Sequence, residues 1–205
     1  TPRTRVLAVP HITSALGIVM PVKRLCALAR ERGLLSFLDG AQSVGQLQVD
    51  VRDLGCDAYY SSPHKWLLAP PGSGLLYVRR DRLPLIWSTL ASGQWNNQRD
   101  GAFRLMQYGT GNLSLLKGFE AAIDFHMRLG PARIEQRILG LANRLRAGLQ
   151  AIPGVVIHSR LHPELLGATT NWGFGGLTGQ QIMDELWKRE RIRVRAVGEG
   201  VRQCC

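Results

Sequence analysis

Three short apolar runs, Arg5-Val-Leu-Ala-Val9, Leu34-Leu-Ser-Phe-Leu38 and Cys56-Asp-Ala-Tyr-Tyr-Ser61, each break off into a polar, turn-forming loop. Between the first two lies a helix-length stretch that opens at Pro21, carries Leu25, Leu28 and Ala29, and stops at Gly33. A strand, a crossover helix and a second strand place the strands parallel. The pattern predicts an α/β fold with a mainly parallel sheet and flanking helices. Gly72-Ser-Gly-Leu-Leu-Tyr-Val78, behind a Pro-Gly turn, adds one more strand.

The rest of the chain changes character. Asp81 to Gly111 shows no clear period. Helices are expected over Leu113–Met127 and Ala132–Ile152, the second with Ile134, Ile138, Leu141, Leu145 and Leu149 on one face. Val155–Ile157 and Thr169–Phe174 read as strands, and Thr178-Gly-Gln-Gln181 as a capping box opening a helix. Ile192-Arg-Val-Arg195 is the expected last strand. Residues 1–130 are thus expected to form a large α/β domain, and 131–205 a smaller, truncated α+β domain.

Composition limits the function classes. The chain has 205 residues and 45% hydrophobic residues, enough for a packed core. No apolar run is long enough to cross a bilayer, and no secretory signal opens the sequence. The net charge is +11, carried mostly by scattered arginines without a nucleic-acid motif, so an anionic small molecule is the expected partner rather than nucleic acid or membrane. Cys26 and Cys56 sit among apolar residues, and Cys204 and Cys205 are adjacent, so metal or redox CxxC spacing is absent. A reducing, cytoplasmic setting is expected.

Two strand ends carry unusual residues, Phe37-Leu-Asp-Gly-Ala-Gln-Ser43 and Ser61-Ser-Pro-His-Lys-Trp66. Ligands bind open α/β sheets beyond the carboxyl ends of their strands. An Asp there can be a turn cap, and a lone Lys is usually a solvated side chain. Together they meet the needs of pyridoxal 5′-phosphate (PLP): an amine for its aldehyde, a carboxylate for its pyridine nitrogen, and donors for its phosphate and phenolic oxygen.

Asp39-Gly-Ala-Gln-Ser-Val-Gly45, Cys56-Asp-Ala-Tyr-Tyr-Ser-Ser-Pro-His-Lys-Trp66 and Pro71-Gly-Ser-Gly-Leu-Leu-Tyr77 together resemble the class V aminotransferase family of fold type I PLP-dependent enzymes. That family includes cysteine desulfurases and isopenicillin N epimerase-like proteins. The resemblance implies Lys65 as the Schiff-base residue, Asp39 at the pyridine nitrogen, Gln42 at the phenolic oxygen, and Ser62 and His64 at the phosphate. His11-Ile-Thr-Ser14 resembles the loop over the cofactor, which places Ser14 there. Gly109-Thr-Gly-Asn112 resembles the loop that reaches a neighbouring subunit's phosphate, which implies a homodimer completed by Thr110. Arg195 resembles the arginine that grips a substrate carboxylate; otherwise it is a surface Arg on an edge strand. The family's chains are longer, with an N-terminal half that stacks on the cofactor ring, so the sequence is expected to be a fragment lacking that part.

Lys65 and Asp39 fix the cofactor but not the reaction. By the resemblance, a desulfurase needs a nucleophilic Cys shortly after the carboxylate-binding Arg, and Ala196–Val201 holds none. The chain resembles isopenicillin N epimerase-like members more closely. The expectation is an aminotransferase- or epimerase-like enzyme acting on an amino acid or small peptide. A desulfurase or C–S lyase, and a catalytically incompetent fragment or basic binding module, remain the alternatives.

Overall fold

The computed structural model describes residues 1–97 and 99–205. Strands β1 (Val6–Pro10), β2 (Leu35–Asp39), β3 (Ala58–Ser61) and β4 (Leu75–Val78) form a sheet in that spatial order. The first three are parallel and β4 runs antiparallel to β3. Helix α1 (Val22–Glu31) makes the crossover from β1 to β2. It buries Val22, Cys26 and Ala29, spaced four and three residues apart and so on one face. Cys26 packs with Leu38, Cys56 and Tyr59 in the first core. Burial pushes the Cys56 thiol up to about 11 and raises Cys26 as well, which keeps both protonated and inert. A one-turn helix, α2 (Val51–Leu54), precedes β3 and is capped by the Asp50 carboxylate.

Beyond β4 the aperiodic middle is not featureless. A 3-10 turn covers Arg80–Leu85 and a short helix, α3 (Gly101–Leu105), is capped by Asp100. Both are too short to leave a readable period. Arg104 on α3 is buried and donates to the Leu83 and Ile86 carbonyls at 2.7 Å each, which ties α3 to the 3-10 turn.

Helices α4 (Leu113–Leu129) and α5 (Pro131–Gln150) meet at Gly130 and lead to a second, antiparallel sheet. Its strands are β5 (Val155–Ile157), β6 (Thr169–Phe174), β7 (Arg195–Val197) and β8 (Gly200–Cys204), in the order β5-β6-β8-β7. Helix α6 (Gly179–Glu190) opens with the expected Thr178–Gln181 capping box. Leu149, Trp172, Ile182 and Val201 form the second core.

The expected strand at Ile192–Arg195 is displaced. Arg191 takes a left-handed conformation and closes α6, with the Ile192 N–H bonded back to the Leu186 carbonyl. Arg191 and Arg193 stack over the Trp187 ring, at 5.3 and 4.6 Å from its centroid. The strand therefore starts only at Arg195 and belongs to a β7–β8 hairpin. The segment 200–204, beyond the expected last strand, is an interior strand bonded to both β6 and β7.

Candidate active site

His11 follows β1, Asp39 ends β2 and the Ser62–Lys65 turn follows β3. Because these strands are parallel, all of these residues emerge at one end of the sheet. The loops are tied directly. The His11 N–H donates to the Asp39 carbonyl at 2.8 Å, the Gly40 N–H to the Tyr60 carbonyl at 2.7 Å, and Ser61 Oγ to the Gly40 carbonyl at 3.0 Å. Gly40 is required because the Tyr59 ring occupies the space of any Cβ there. Gly45, at φ +88°, lies so close to the Trp66–Leu67 backbone that a side chain would meet it at 2.5 Å. The Asp39 turn and the Lys65 turn are thus packed backbone against backbone.

Asp39 is half-buried, and one of its oxygens accepts from the Ala41 N–H at 2.8 Å. Its other oxygen has no hydrogen bond among the described residues. The side chains of Ser62, His64 and Lys65 have none either, and His64 and Lys65 are exposed. Gln42 is held at three points. Its Oε1 accepts from Trp66 Nε1 at 2.9 Å, its carbonyl from Gln46 Nε2 at 2.8 Å, and its Nε2 donates to Ser14 Oγ at 3.4 Å. The structure therefore brings Ser14, Asp39, Gln42 and the Ser62–Lys65 turn together. It does not bring Thr110, which is exposed in the loop before α4 and makes no hydrogen bond to these residues.

Under Asp39 lies a buried polar chain that the sequence reading missed. His11 Nδ1 and the Tyr59 hydroxyl are 2.9 Å apart, and that hydroxyl is 2.6 Å from Ser43 Oγ. Burial pushes Tyr59 up to about 12, and lowers His11 below its ordinary value. Both are neutral near pH 7, so the chain works through hydrogen bonds rather than charge.

The second sheet supplies arginines. Arg195 is exposed on β7 and pairs in register with Arg202 on β8, so the two side chains share one face of the sheet. Asn171 of β6 is Arg202's partner on its other side and extends the row. Arg202 Nη1 donates to the Ser14 carbonyl and Ser14 Oγ, both at 3.0 Å, while its buried Nε has no partner. Asn171 Nδ2 donates to the Ala15 carbonyl at 3.2 Å. Arg202 therefore reaches the loop beside Gln42, whereas Arg195 lies one strand farther out. The signal for Arg202 was the Gly198-Glu-Gly200 turn, which marks a hairpin and makes 201–204 a strand.

Among the described residues no group of three or more His, Cys, Asp or Glu could hold a metal, and no helix is long and apolar enough to cross a membrane. A cavity of about 740 Å³ lined by Arg52, Tyr77, Arg79, Arg80 and Arg99 lies at the other end of the first sheet. The site is therefore assigned by its chemistry, not by cavity size.

The family model for class-V aminotransferases matches residues 1–204. The chain belongs to the class-V aminotransferase family. It is 36% identical to an isopenicillin N epimerase of Amycolatopsis lactamdurans, over 94% of this chain and 52% of that protein. It is 33% identical to a probable cysteine desulfurase of Xylella fastidiosa (strain 9a5c), over 76% of this chain and 39% of that protein. Among solved structures, a cysteine desulfurase from Thermococcus onnurineus NA1 superposes with a TM-score of 0.88 at 25% identity, covering 98% of this chain and 55% of that one. A cystine C–S lyase in complex with its product cysteine persulfide superposes at 0.87 and 27% identity, covering 100% of this chain and 57% of that one. Structures of this kind share the PLP fold type I architecture. The chain spans about half the length of the relatives it matches.

Proposed function

We propose that this chain carries the anchor site of a PLP-dependent enzyme that acts on an amino acid or small peptide, as an aminotransferase or epimerase. The observation that carries the reading is the junction of two turns. Asp39 and Lys65 stand at the carboxyl ends of adjacent parallel strands, and neither the Lys65 amine nor one Asp39 oxygen has a hydrogen-bond partner among the described residues. A carboxylate and an amine left unpaired in that way suit the pyridine nitrogen and the aldehyde of PLP. Bound there, PLP would supply an electron sink for a carbanion at the substrate α-carbon.

The chain's own groups take distinct parts. Lys65 Nζ is the covalent anchor and the group that moves a proton at the substrate α-carbon. Asp39 holds a proton on the pyridine nitrogen. Gln42 Nε2 donates to the phenolic oxygen, and Ser62 and His64 donate to the phosphate. Arg202 and Arg195 hold the substrate carboxylate; a guanidinium fork matches it bidentately, and the unpartnered Nε of Arg202 is one donor in reserve. On this reading residues 1–130 hold the cofactor and 131–205 supply the arginines. Thr110, exposed and without a hydrogen bond to these residues, completes a neighbour's site in a homodimer. Ala196–Val201, after Arg195, holds no Cys, and Cys204, two residues after Arg202, is paired with Thr169 inside the sheet rather than carried on a loop; both favour aminotransfer or epimerisation over desulfuration.

The test is borohydride reduction of the protein with PLP, followed by peptide mapping. The tag is expected on Lys65. A tag on Lys23, Lys117 or Lys188 in its place sinks the assignment.

A further inference from the structure

We propose that Trp66 is a positioning residue whose indole N–H decides which end of the Gln42 amide faces Ser14. A glutamine amide is nearly symmetric in shape, and its two orientations differ in which end donates. The indole N–H can only donate. With Trp66 Nε1 at 2.9 Å, the facing atom of Gln42 must be Oε1, because the reverse orientation would set two donors against each other. Nε2 is thereby sent to the other side, towards Ser14 Oγ.

The main chain leaves Trp66 this one freedom to fix. The Gln42 carbonyl is already tied by Gln46 Nε2, whose residue is buried to 1% exposure, so the backbone is held and the side chain alone can turn. The consequence is a surface of donors. Gln42 Nε2 spends one hydrogen on a long 3.4 Å contact and keeps another, while Arg202 Nη1 donates to the same Ser14 oxygen. A cluster of donors with an unspent N–H suits an anionic oxygen, such as a phenolate. A flipped amide would instead present its carbonyl there and repel it. The Trp66–Gln42 contact alone sets the orientation of the amide, and only its consequence for a cofactor rests on the proposed function.

The experiment uses the whole chain with Trp66→Phe, Trp66→His, Gln42→Ala and the Trp66→Phe/Gln42→Ala double variant. Without cofactor, the Gln42 side-chain amide is followed by NMR. The wild type should show one NH₂ environment with a nuclear Overhauser contact to Ser14, and Trp66→Phe should lose it. PLP affinity should fall roughly fivefold to tenfold in Trp66→Phe, the loss of one hydrogen bond. It should fall no further when Trp66→Phe is added to Gln42→Ala, and Trp66→His, which keeps a ring N–H, should recover part of it. Equal losses from Trp66→Phe in both backgrounds, or an unchanged Gln42 amide signal in Trp66→Phe, would overturn the proposal by showing that the indole acts through packing. If Trp66→Phe does not fold, the wild-type indole N–H decides: its exchange must quicken in Gln42→Ala, and an unchanged rate counts against the proposal. A wild type that binds no PLP defeats the proposed function, while the amide spectrum still decides the role of Trp66.

Discussion

Arg195 and Arg202 face each other across the β7–β8 hairpin, and neither forms an ion pair with a carboxylate among the described residues. Two like charges at directly opposed positions cost a sheet stability, by about 0.2–1 kcal/mol. An anion bound between them removes that cost. Arg195→Gln should therefore stabilise the ligand-free protein by a few tenths of a kcal/mol or more. Arg202→Gln should weaken binding of a carboxylate substrate on the order of tenfold to a hundredfold, the loss of a charged hydrogen bond, while leaving PLP affinity much less affected. Chemical denaturation and substrate titration of the two variants check both signs. Destabilisation by Arg195→Gln would show that it serves the fold.

Gln46 straps the two sheets together. Its Nε2 donates to the Gln42 carbonyl and its Oε1 accepts from the Ala168 N–H, both at 2.8 Å. Gln46→Leu fills similar space but strands both partners in a buried place. It should cost about 2–4 kcal/mol. Amide exchange at Ala168 should accelerate with it, and an unchanged exchange rate would mean the strap is not holding.

Acid stability depends on Asp57. It is buried, which by itself would raise its pKa, but the Ser36 N–H and hydroxyl and the Arg82 and Arg79 guanidiniums more than offset this and hold it below the ordinary 3.8. A carboxyl lowered in the folded state adds stability above pH 3.8 and loses it as pH falls through the folded value. Asp57→Asn should thus cost about 1–3 kcal/mol at neutral pH, below the roughly 3–5 kcal/mol of a fully buried pair because both arginines stay partly exposed. Urea melts at pH 7 and pH 3 should show the variant's deficit shrinking in acid.

His11 should behave oppositely to a surface imidazole. Burial lowers its pKa below 6.5 and it gains no carboxylate, so the folded chain binds its proton less readily than the unfolded one. Its contribution is whole above pH 6.5 and is lost as pH falls from there through the lower folded value. Ring NMR should show a neutral imidazole bonded to Tyr59 at pH 6.5. Tyr59→Phe should change that tautomer signal, and a His11 already half-protonated at pH 6.5 would refute the assignment.

Local pattern determined the elements that sit where side-chain period is strong. The three strand runs, the crossover helix, the long helices α4 and α5 and the Thr178–Gln181 cap were all legible, because each alternation or cap is written within a few residues; the face of the crossover helix was not, since it buries Val22, Cys26 and Ala29 and leaves Leu28 exposed. The turn residues Asp39, Gln42, Ser62, His64 and Lys65 were legible as candidates for the same reason. Tertiary structure alone decided what lies between distant segments. The Trp66–Gln42 and Gln46–Ala168 bonds, the buried His11–Tyr59–Ser43 chain and the meeting of Arg202 with Ser14 join residues up to 188 positions apart, for which no local rule exists. The shift of the last strand from Ile192 to Arg195 belongs there too. It was set by Arg191 closing α6 and by Trp187 stacking its arginines, contacts whose geometry exists only after the helix has packed.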